Sequence, residues 1–285
     1  MKERVEKFGS DCNMVGVFTD AGHKNSELPV VLVLNAGIVH RVGPFRMNVE
    51  ISRAVGEGGF HCFRFDMSGL GDSEARGDSI DLRARVTRDI ADAMDHLEAR
   101  IGAKKFVLFG LCSGAVNAHY AAVDDVRIVG CVLLDAYSYP TPKFYLRRFA
   151  PRLKEPKVVL RGVRRRIKHG LRRALDWGEG DDATGRRVAP EGEGVVYLQE
   201  SPPREKIASE LNQLLSRDVK FLFLFCGNWY VNYREQLEDS LPEVNFGKNV
   251  SVLHWPEADH TFVILADRKK MLATTTRWLS DTYGA

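Results

Sequence analysis

Short apolar runs alternate with amphipathic stretches through most of the chain. Residues 30–34 are apolar at every position, which is typical of a strand buried on both faces of a sheet. Residues 86–101 carry apolar side chains at steps of three or four, which predicts one face of a helix. Strands are predicted at residues 4–10, 14–21, 30–34, 60–65, 106–109, 126–134, 219–226 and 250–255. Helices are predicted at residues 45–56, 86–101, 115–123 and 233–241 and near the end of the chain. This alternation predicts an α/β fold whose mostly parallel sheet is covered on both faces.

The alternation stops between residues 137 and 216. This stretch holds seven prolines, which interrupt helices and central strands, and a segment rich in Gly and Asp at residues 178–185. Regular apolar runs return at residue 219. We therefore predict a core made of residues 1–136 and 217–285, and an insertion made of residues 137–216.

The insertion carries a block of positive charge. Residues 143–173 include thirteen Lys or Arg and one acid, although the whole 285-residue chain has a net charge of only +3. Such a block would attract an acidic partner, such as an acyl or peptidyl carrier protein, coenzyme A or an anionic membrane surface. The acidic partner would then bind at Arg164, Arg165 and Arg166. A solvated helix kept soluble by its arginines is the plain alternative. Nucleic acid is not expected, because residues 161–173 lack aromatic side chains for base stacking.

The remaining composition argues against a membrane protein, a secreted protein and a zinc protein. A hydrophobic content of 44% and a charged content of 28% are ordinary for a globular domain, and no apolar run is long enough to span a membrane. Residues 1–7 are charged and lack the apolar core of a signal peptide, so we expect a cytoplasmic protein. The five cysteines form no CxxC pair, which argues against a disulfide framework or a zinc site. No metal or other cofactor is expected.

Residues 106–115 combine a strand, a glycine-flanked turn and the start of a helix. The turn reads Gly-Leu-Cys-Ser-Gly from Gly110 to Gly114, the spacing of a nucleophile elbow with cysteine where serine is usual. An elbow centred on Ser113 would place a leucine at one of the two flanking positions that must be small. We therefore assign Cys112 as the nucleophile. The N-terminus of the following helix would favour its thiolate form.

Three further segments occur with the elbow in a recognisable order: Asn-Ala-Gly at residues 35–37, Asp66 followed by a glycine-rich turn to residue 73, and Ala-Asp-His at residues 258–260. Together they resemble the α/β-hydrolase fold along nearly the whole chain. Residues 34–44 are similar to the small hydrolases encoded beside exosortase systems and in natural-product clusters. The resemblance implies a doubly wound, mostly parallel, eight-stranded sheet with a lid inserted after the sixth strand. Dienelactone hydrolase is a precedent in this fold for a cysteine nucleophile.

The resemblance also implies the partners of Cys112. His260 lies where this fold carries its catalytic histidine and would act as general base. The usual acid is missing from the loop after Gly227. Asp135 ends the preceding strand, a position that some lipases of this fold use, and is the residue that we favour. Asn232 or Asn228 could orient the imidazole instead, as asparagine does in papain-like enzymes, and Glu235 or no acid are the remaining alternatives.

The other expected site residues surround this group. The backbone N–H groups of Gly37 and Ser113 would form the oxyanion hole. We expect substrate contacts from the following side chains: Asn35, Arg41, Tyr137 and Asn232. The turn that contains Asp66, Gly69 and Gly71 is expected to have a structural role.

These residues predict an acyl hydrolase, a thioesterase or esterase, that forms a covalent acyl-cysteine on Cys112. Thioesters are the favoured substrates, because thiolate attack on a thioester exchanges bonds of nearly equal energy. An acyltransferase or cyclase that passes the acyl group to an amine or alcohol uses the same intermediate. A non-catalytic binding protein on a hydrolase fold is the alternative outside enzymology, and only the missing acid after Gly227 supports it.

Overall fold

The computed structural model of the 285-residue chain describes residues 1–10, 13–22, 27–77, 80–153, 202–227 and 231–284. Arg164, Arg165 and Arg166, and with them the predicted docking of an acidic partner, lie outside the described residues. Asn228 also lies outside them. Among the described helices, none combines the length and the apolar character that crossing a membrane requires.

Eight strands form one sheet in the order β1-β2-β4-β3-β5-β6-β7-β8. The strands are β1 Lys2–Phe8, β2 Met14–Asp20, β3 Val30–Val33, β4 Cys62–Phe65, β5 Phe106–Leu111, β6 Ile128–Leu134, β7 Lys220–Cys226 and β8 Val250–Trp255. Strand β2 runs antiparallel to both β1 and β4, and the other neighbouring pairs are parallel. This confirms the predicted doubly wound, mostly parallel sheet.

Helices cover the sheet. They are α1 Met47–Glu57, α2 Leu82–Ile101, α3 Ser113–Asp124, α4 Pro142–Leu153, α5 Arg204–Ser216, α6 Gln236–Ser240 and α7 Leu265–Tyr283, with short 3₁₀ helices at Pro44–Arg46 and Gly247–Asn249. Helix α1 packs against α7, while α3 packs against α2 and α5. Every residue of β3, β4 and β5 is buried, as expected for strands with helices on both faces.

Two helices begin later than the sequence predicts. The helix expected from residue 45 begins at Met47, because Phe45 and Arg46 adopt positive φ angles of 50° and 65°, which a right-handed helix cannot contain. The helix expected over residues 233–241 is confined to Gln236–Ser240. Pro242 contributes to its early end, since the residue before a proline is disfavoured in helical conformation.

The chain divides into two compact units, Met1–Tyr139 with Gln199–Ala285, and Pro140–Leu198. The first unit contains the sheet. It also contains α5, whose apolar face is buried at Ile207, Leu211 and Leu214. The sequence pattern instead assigns these residues to the insertion at residues 137–216. Helix α4 belongs to the second unit. The rings of Tyr145 and Phe149 stack one turn apart on this helix.

Two glycines allow the chain to turn from β5 into α3. A Cβ atom on Gly110 would lie 2.2 Å from the carbonyl oxygen of Gly114, and one on Gly114 would lie 2.5 Å from the carbonyl oxygen of Asn35. Both contacts are with backbone atoms, which cannot move aside as a flexible side chain can. The elbow therefore requires glycine at both positions for steric reasons.

Gly110→Ala should lower the free energy of unfolding by about 1–3 kcal/mol, because the added methyl group overlaps backbone in a packed region. Urea unfolding followed by circular dichroism measures this loss. Gly77→Ala is the matched control, since a Cβ there meets no atom within 4 Å. We expect it to change stability by less than about 0.5 kcal/mol. Equal stability of the two variants would contradict the proposed packing of the elbow.

Candidate active site

Cys112 occupies a strained turn at the end of β5. Its φ and ψ angles are 55° and −118°, outside the regions that non-glycine residues favour. Its backbone N–H donates to the carbonyl oxygen of Leu134 on β6, at 2.8 Å, and its carbonyl accepts from Ala115 in the first turn of α3. These bonds hold the turn on a rigid scaffold, and Cys112 is exposed at the top of the sheet.

His260 lies on the loop between β8 and α7. The carboxylate of the preceding Asp259 accepts hydrogen bonds from the backbone N–H groups of Thr261 and Val263, at 2.9 and 2.8 Å, and from the Thr261 hydroxyl. Asp259 therefore shapes the loop that carries His260. The imidazole of His260 is 42% exposed, so it can meet both protein groups and solvent.

Asp135 follows the last residue of β6 and adopts a positive φ of 45°. One carboxylate oxygen accepts the backbone N–H of Cys226 at 2.8 Å. The other lies 2.7 Å from Nδ1 of His260. Because an ionised carboxylate can only accept, Nδ1 carries the proton of this bond and Nε2 is the nitrogen left to face Cys112.

The His260 imidazole and the Cys112 thiol shift each other's pKa. A hydrogen bond with His260 lowers the pKa of Cys112 against the opposing effect of burial, and the backbone N–H of Ser113 lowers it further. The hydrogen bond with Asp135, followed by the one with Cys112, raises the pKa of His260 to about 10. Both shifts favour a thiolate beside an imidazolium over the neutral pair. Cys62 behaves in the opposite way, since burial raises its pKa to about 12.

The alternatives to Asp135 have other surroundings. The backbone N–H of Asn232 donates to Oε1 of Gln236, and Glu235 is an exposed residue at the start of α6. The group within hydrogen-bonding distance of Nδ1 of His260 is the Asp135 carboxylate. Of the candidates that lie within the described residues, Asp135 has this contact.

The loop that carries Gly37, one predicted oxyanion donor, contacts Ser113, the other. The backbone N–H of Gly37 donates to the Ser113 hydroxyl at 2.6 Å, while the backbone N–H of Ser113 helps to lower the pKa of the Cys112 thiol. Gly37 has a positive φ of 55°, which suits glycine. Sequence reasoning missed the Ser113 hydroxyl, because nothing in the spacing of the two residues indicates a side-chain contact across 76 positions.

Three of the expected substrate-binding residues make internal bonds. Asn35 is 2% exposed, and both ends of its amide bond to protein groups. Arg41 pairs with the carboxylates of Asp66 and Asp72. Tyr137 is buried, and its hydroxyl lies 3.2 Å from Nδ1 of His119. Among the described residues, no group of three or more His, Cys, Asp or Glu could hold a metal ion.

This geometry agrees with a known fold. A family model for the α/β-hydrolase fold matches residues 29–155. The chain has the α/β-hydrolase fold. An α/β-hydrolase of a Penicillium species, GrgF, superimposes with a TM-score of 0.61 over 100% of both chains at 13% identity. An esterase of Pyrococcus furiosus gives 0.60, at 14% identity, over 100% of this chain and 92% of its own.

A third similar structure, Est1E from Butyrivibrio proteoclasticus, has a TM-score of 0.60 at 12% identity, covering 97% of this chain and 98% of its own. No curated protein matches the chain. Identities this low establish the fold alone. The narrower resemblance to exosortase-associated hydrolases stays a prediction.

The charged pair predicts a distinctive pH profile for alkylation of Cys112 by iodoacetamide. Wild-type Cys112 should remain reactive well below the usual thiol pKa, because only the thiolate reacts and His260 stabilises it. His260→Gln removes that stabilisation and should slow alkylation by about tenfold or more near pH 7. The two proteins should converge at high pH, where the thiol ionises unaided. Peptide mapping by mass spectrometry measures labelling at Cys112 itself, and identical profiles would contradict the pair.

Proposed function

We propose that this chain is an acyl hydrolase that cleaves thioesters or esters through an acyl-cysteine intermediate on Cys112. One observation carries the proposal: the Asp135 carboxylate lies 2.7 Å from Nδ1 of His260, and this imidazole in turn lowers the pKa of the Cys112 thiol. A nucleophile, a base in contact with it and a carboxylate in contact with the base are what covalent acyl transfer requires.

The first half-reaction acylates the enzyme. The Cys112 thiolate attacks the carbonyl carbon of the substrate, and the carbonyl electron pair moves onto its oxygen. The N–H groups of Gly37 and Ser113 would stabilise that oxyanion. When the carbonyl reforms, the bond to the leaving group breaks, and the leaving thiolate or alkoxide takes the proton from Nε2 of His260. The products are acyl-Cys112, a neutral His260 and a free thiol or alcohol.

The second half-reaction releases the acid. Neutral His260 accepts a proton from a water molecule at Nε2, and the hydroxide formed attacks the acyl-cysteine carbonyl carbon. Collapse of this second tetrahedral intermediate breaks the carbon–sulfur bond. Cys112 leaves as the thiolate, which restores the ion pair with the imidazolium. Asp135 stays ionised throughout and stabilises the positive charge on His260.

Ester chemistry has support from two sides. Structures similar to this chain include a protein named as an esterase from Pyrococcus furiosus. A thiolate nucleophile adds a preference, since a thioester offers a leaving group as good as Cys112 itself, whereas an alkoxide leaves less readily. We therefore expect higher kcat/KM for a thioester than for the oxygen ester with the same acyl group.

The intermediate can be observed directly. After incubation with the N-acetylcysteamine thioester of a short fatty acid, intact-protein mass spectrometry should show wild-type chain increased by one acyl group. Cys112→Ala should lack the adduct and lose about 10³-fold or more in turnover. Ser113→Ala retains the nucleophile and should retain the adduct.

The reverse pattern, an adduct lost in Ser113→Ala and kept in Cys112→Ala, would contradict the assignment of Cys112. Adding an amine acceptor to the same incubation separates hydrolysis from acyl transfer. Our proposal predicts the free acid as the main product in both cases. An amide as the main product would make the enzyme an acyltransferase.

A further inference from the structure

Asp66 is a buried carboxylate outside the nucleophile–histidine–acid series. Its side chain has no exposed surface, and it sits directly after β4. One oxygen accepts hydrogen bonds from the Asn35 amide and the Arg41 backbone N–H, and the other accepts from the Arg41 guanidinium and the Asp72 backbone N–H. A turn alone would need only the bond to Asp72, so the three bonds to the loop after β3 call for another explanation.

These bonds bracket Gly37. Asn35 precedes the glycine by two residues and Arg41 follows it by four, and both are tied to the same carboxylate. The Asn35 amide restrains the loop further, since it donates to the carbonyl oxygen of Val39 at 2.9 Å and accepts a hydrogen bond from the backbone N–H of Met67 at 3.0 Å. The path of the loop on both sides of Gly37 is therefore set by one buried charge.

The same loop is placed against the elbow. The carbonyl oxygen of Asn35 lies so close to Gly114 that a Cβ there would approach it to 2.5 Å. The Gly37 N–H then reaches the Ser113 hydroxyl at 2.6 Å, beside Cys112. The space around Asp66 is equally restricted, because a Cβ on Gly71 would lie 2.3 Å from its carboxylate. Little freedom is left for the carboxylate, and hence for the loop bound to it.

We propose that Asp66 is a positioning residue of the oxyanion hole. Acting through Asn35 and Arg41, it holds the loop so that the Gly37 N–H, which donates to the Ser113 hydroxyl in the free protein, can donate instead to the developing oxyanion on a carbonyl bound at Cys112. This inference rests on the proposed function and assigns Asn35 and Arg41 to positioning in place of substrate contact. A misdirected amide would stabilise the tetrahedral intermediate less while leaving the thiolate–imidazolium pair intact.

Two reagents that react with Cys112 separate these effects. The Cys112 thiolate adds reversibly to the carbonyl carbon of a short aliphatic aldehyde, and the alkoxide formed takes a proton from His260 to give a hemithioacetal. Its oxygen occupies the oxyanion position. Iodoacetamide alkylates the sulfur and expels iodide, and no oxyanion forms. A change that affects only the oxyanion hole weakens the aldehyde complex and leaves the alkylation rate alone.

The test compares wild type with Asp66→Asn and with Asp72→Asn as matched control. Asp72 contacts the same Arg41 guanidinium, but its side chain is 67% exposed. For Asp66→Asn we expect aldehyde affinity and kcat to fall by about tenfold to a hundredfold, with KM and alkylation within about threefold of wild type. Asp72→Asn should stay within about threefold of wild type on every readout.

Unchanged aldehyde affinity in Asp66→Asn would overturn the inference, as would an equal fall in alkylation, which indicates collapse of the whole site. If Asp66→Asn does not give a folded protein by circular dichroism, Asn35→Ala decides on the same readouts, since it removes the amide link from Asp66 to the loop. Wild-type protein that fails to bind the aldehyde at Cys112 would contradict the proposed function, and this inference with it.

Discussion

The hydrogen bond between Asp135 and His260 is the contact on which the candidate site depends. Asp135 ends β6 and His260 follows β8, and β7 lies between these two parallel strands. The Cys226 N–H at the end of β7 holds the Asp135 carboxylate from one side while His260 contacts it from the other. This bond is the largest influence that raises the pKa of His260, and the resulting imidazolium in turn lowers the pKa of Cys112.

Backbone strain accompanies these residues. Positive φ angles occur at Cys112 and Asp135, and also at Phe262, two residues after His260. Each strained residue costs of order 1–3 kcal/mol, and such residues persist where the surroundings over-determine their conformation. A sheet whose central strands are buried on both faces supplies that rigidity. The loops at its edge can then hold the Cys112 thiol, the His260 imidazole and the N–H groups of Gly37 and Ser113 in fixed relative positions.

Local patterns made the sheet and the elbow predictable. An apolar run specifies a buried strand by itself, and the two glycines beside Cys112 report a steric requirement of the turn between them. Contacts between segments that are distant in sequence were harder to predict. Sequence alone showed that Asp135 ends a strand, and left open whether it or Asn232 faces the imidazole. The sequence favoured Asn35 and Arg41 as substrate contacts. Nothing in it indicates that both side chains bond to Asp66, which follows Asn35 by 31 residues and Arg41 by 25.

The most direct test of the central claim is the protonation state of His260 in the free protein. Nitrogen NMR of the imidazole rings reports it, with the His260 signals assigned by their loss in His260→Gln. At about pH 8.5, where an ordinary histidine is neutral, both ring nitrogens of His260 should carry a proton in the wild type. In Asp135→Asn and in Cys112→Ala the ring should deprotonate at lower pH. A neutral His260 in wild-type protein at that pH would contradict the thiolate–imidazolium pair.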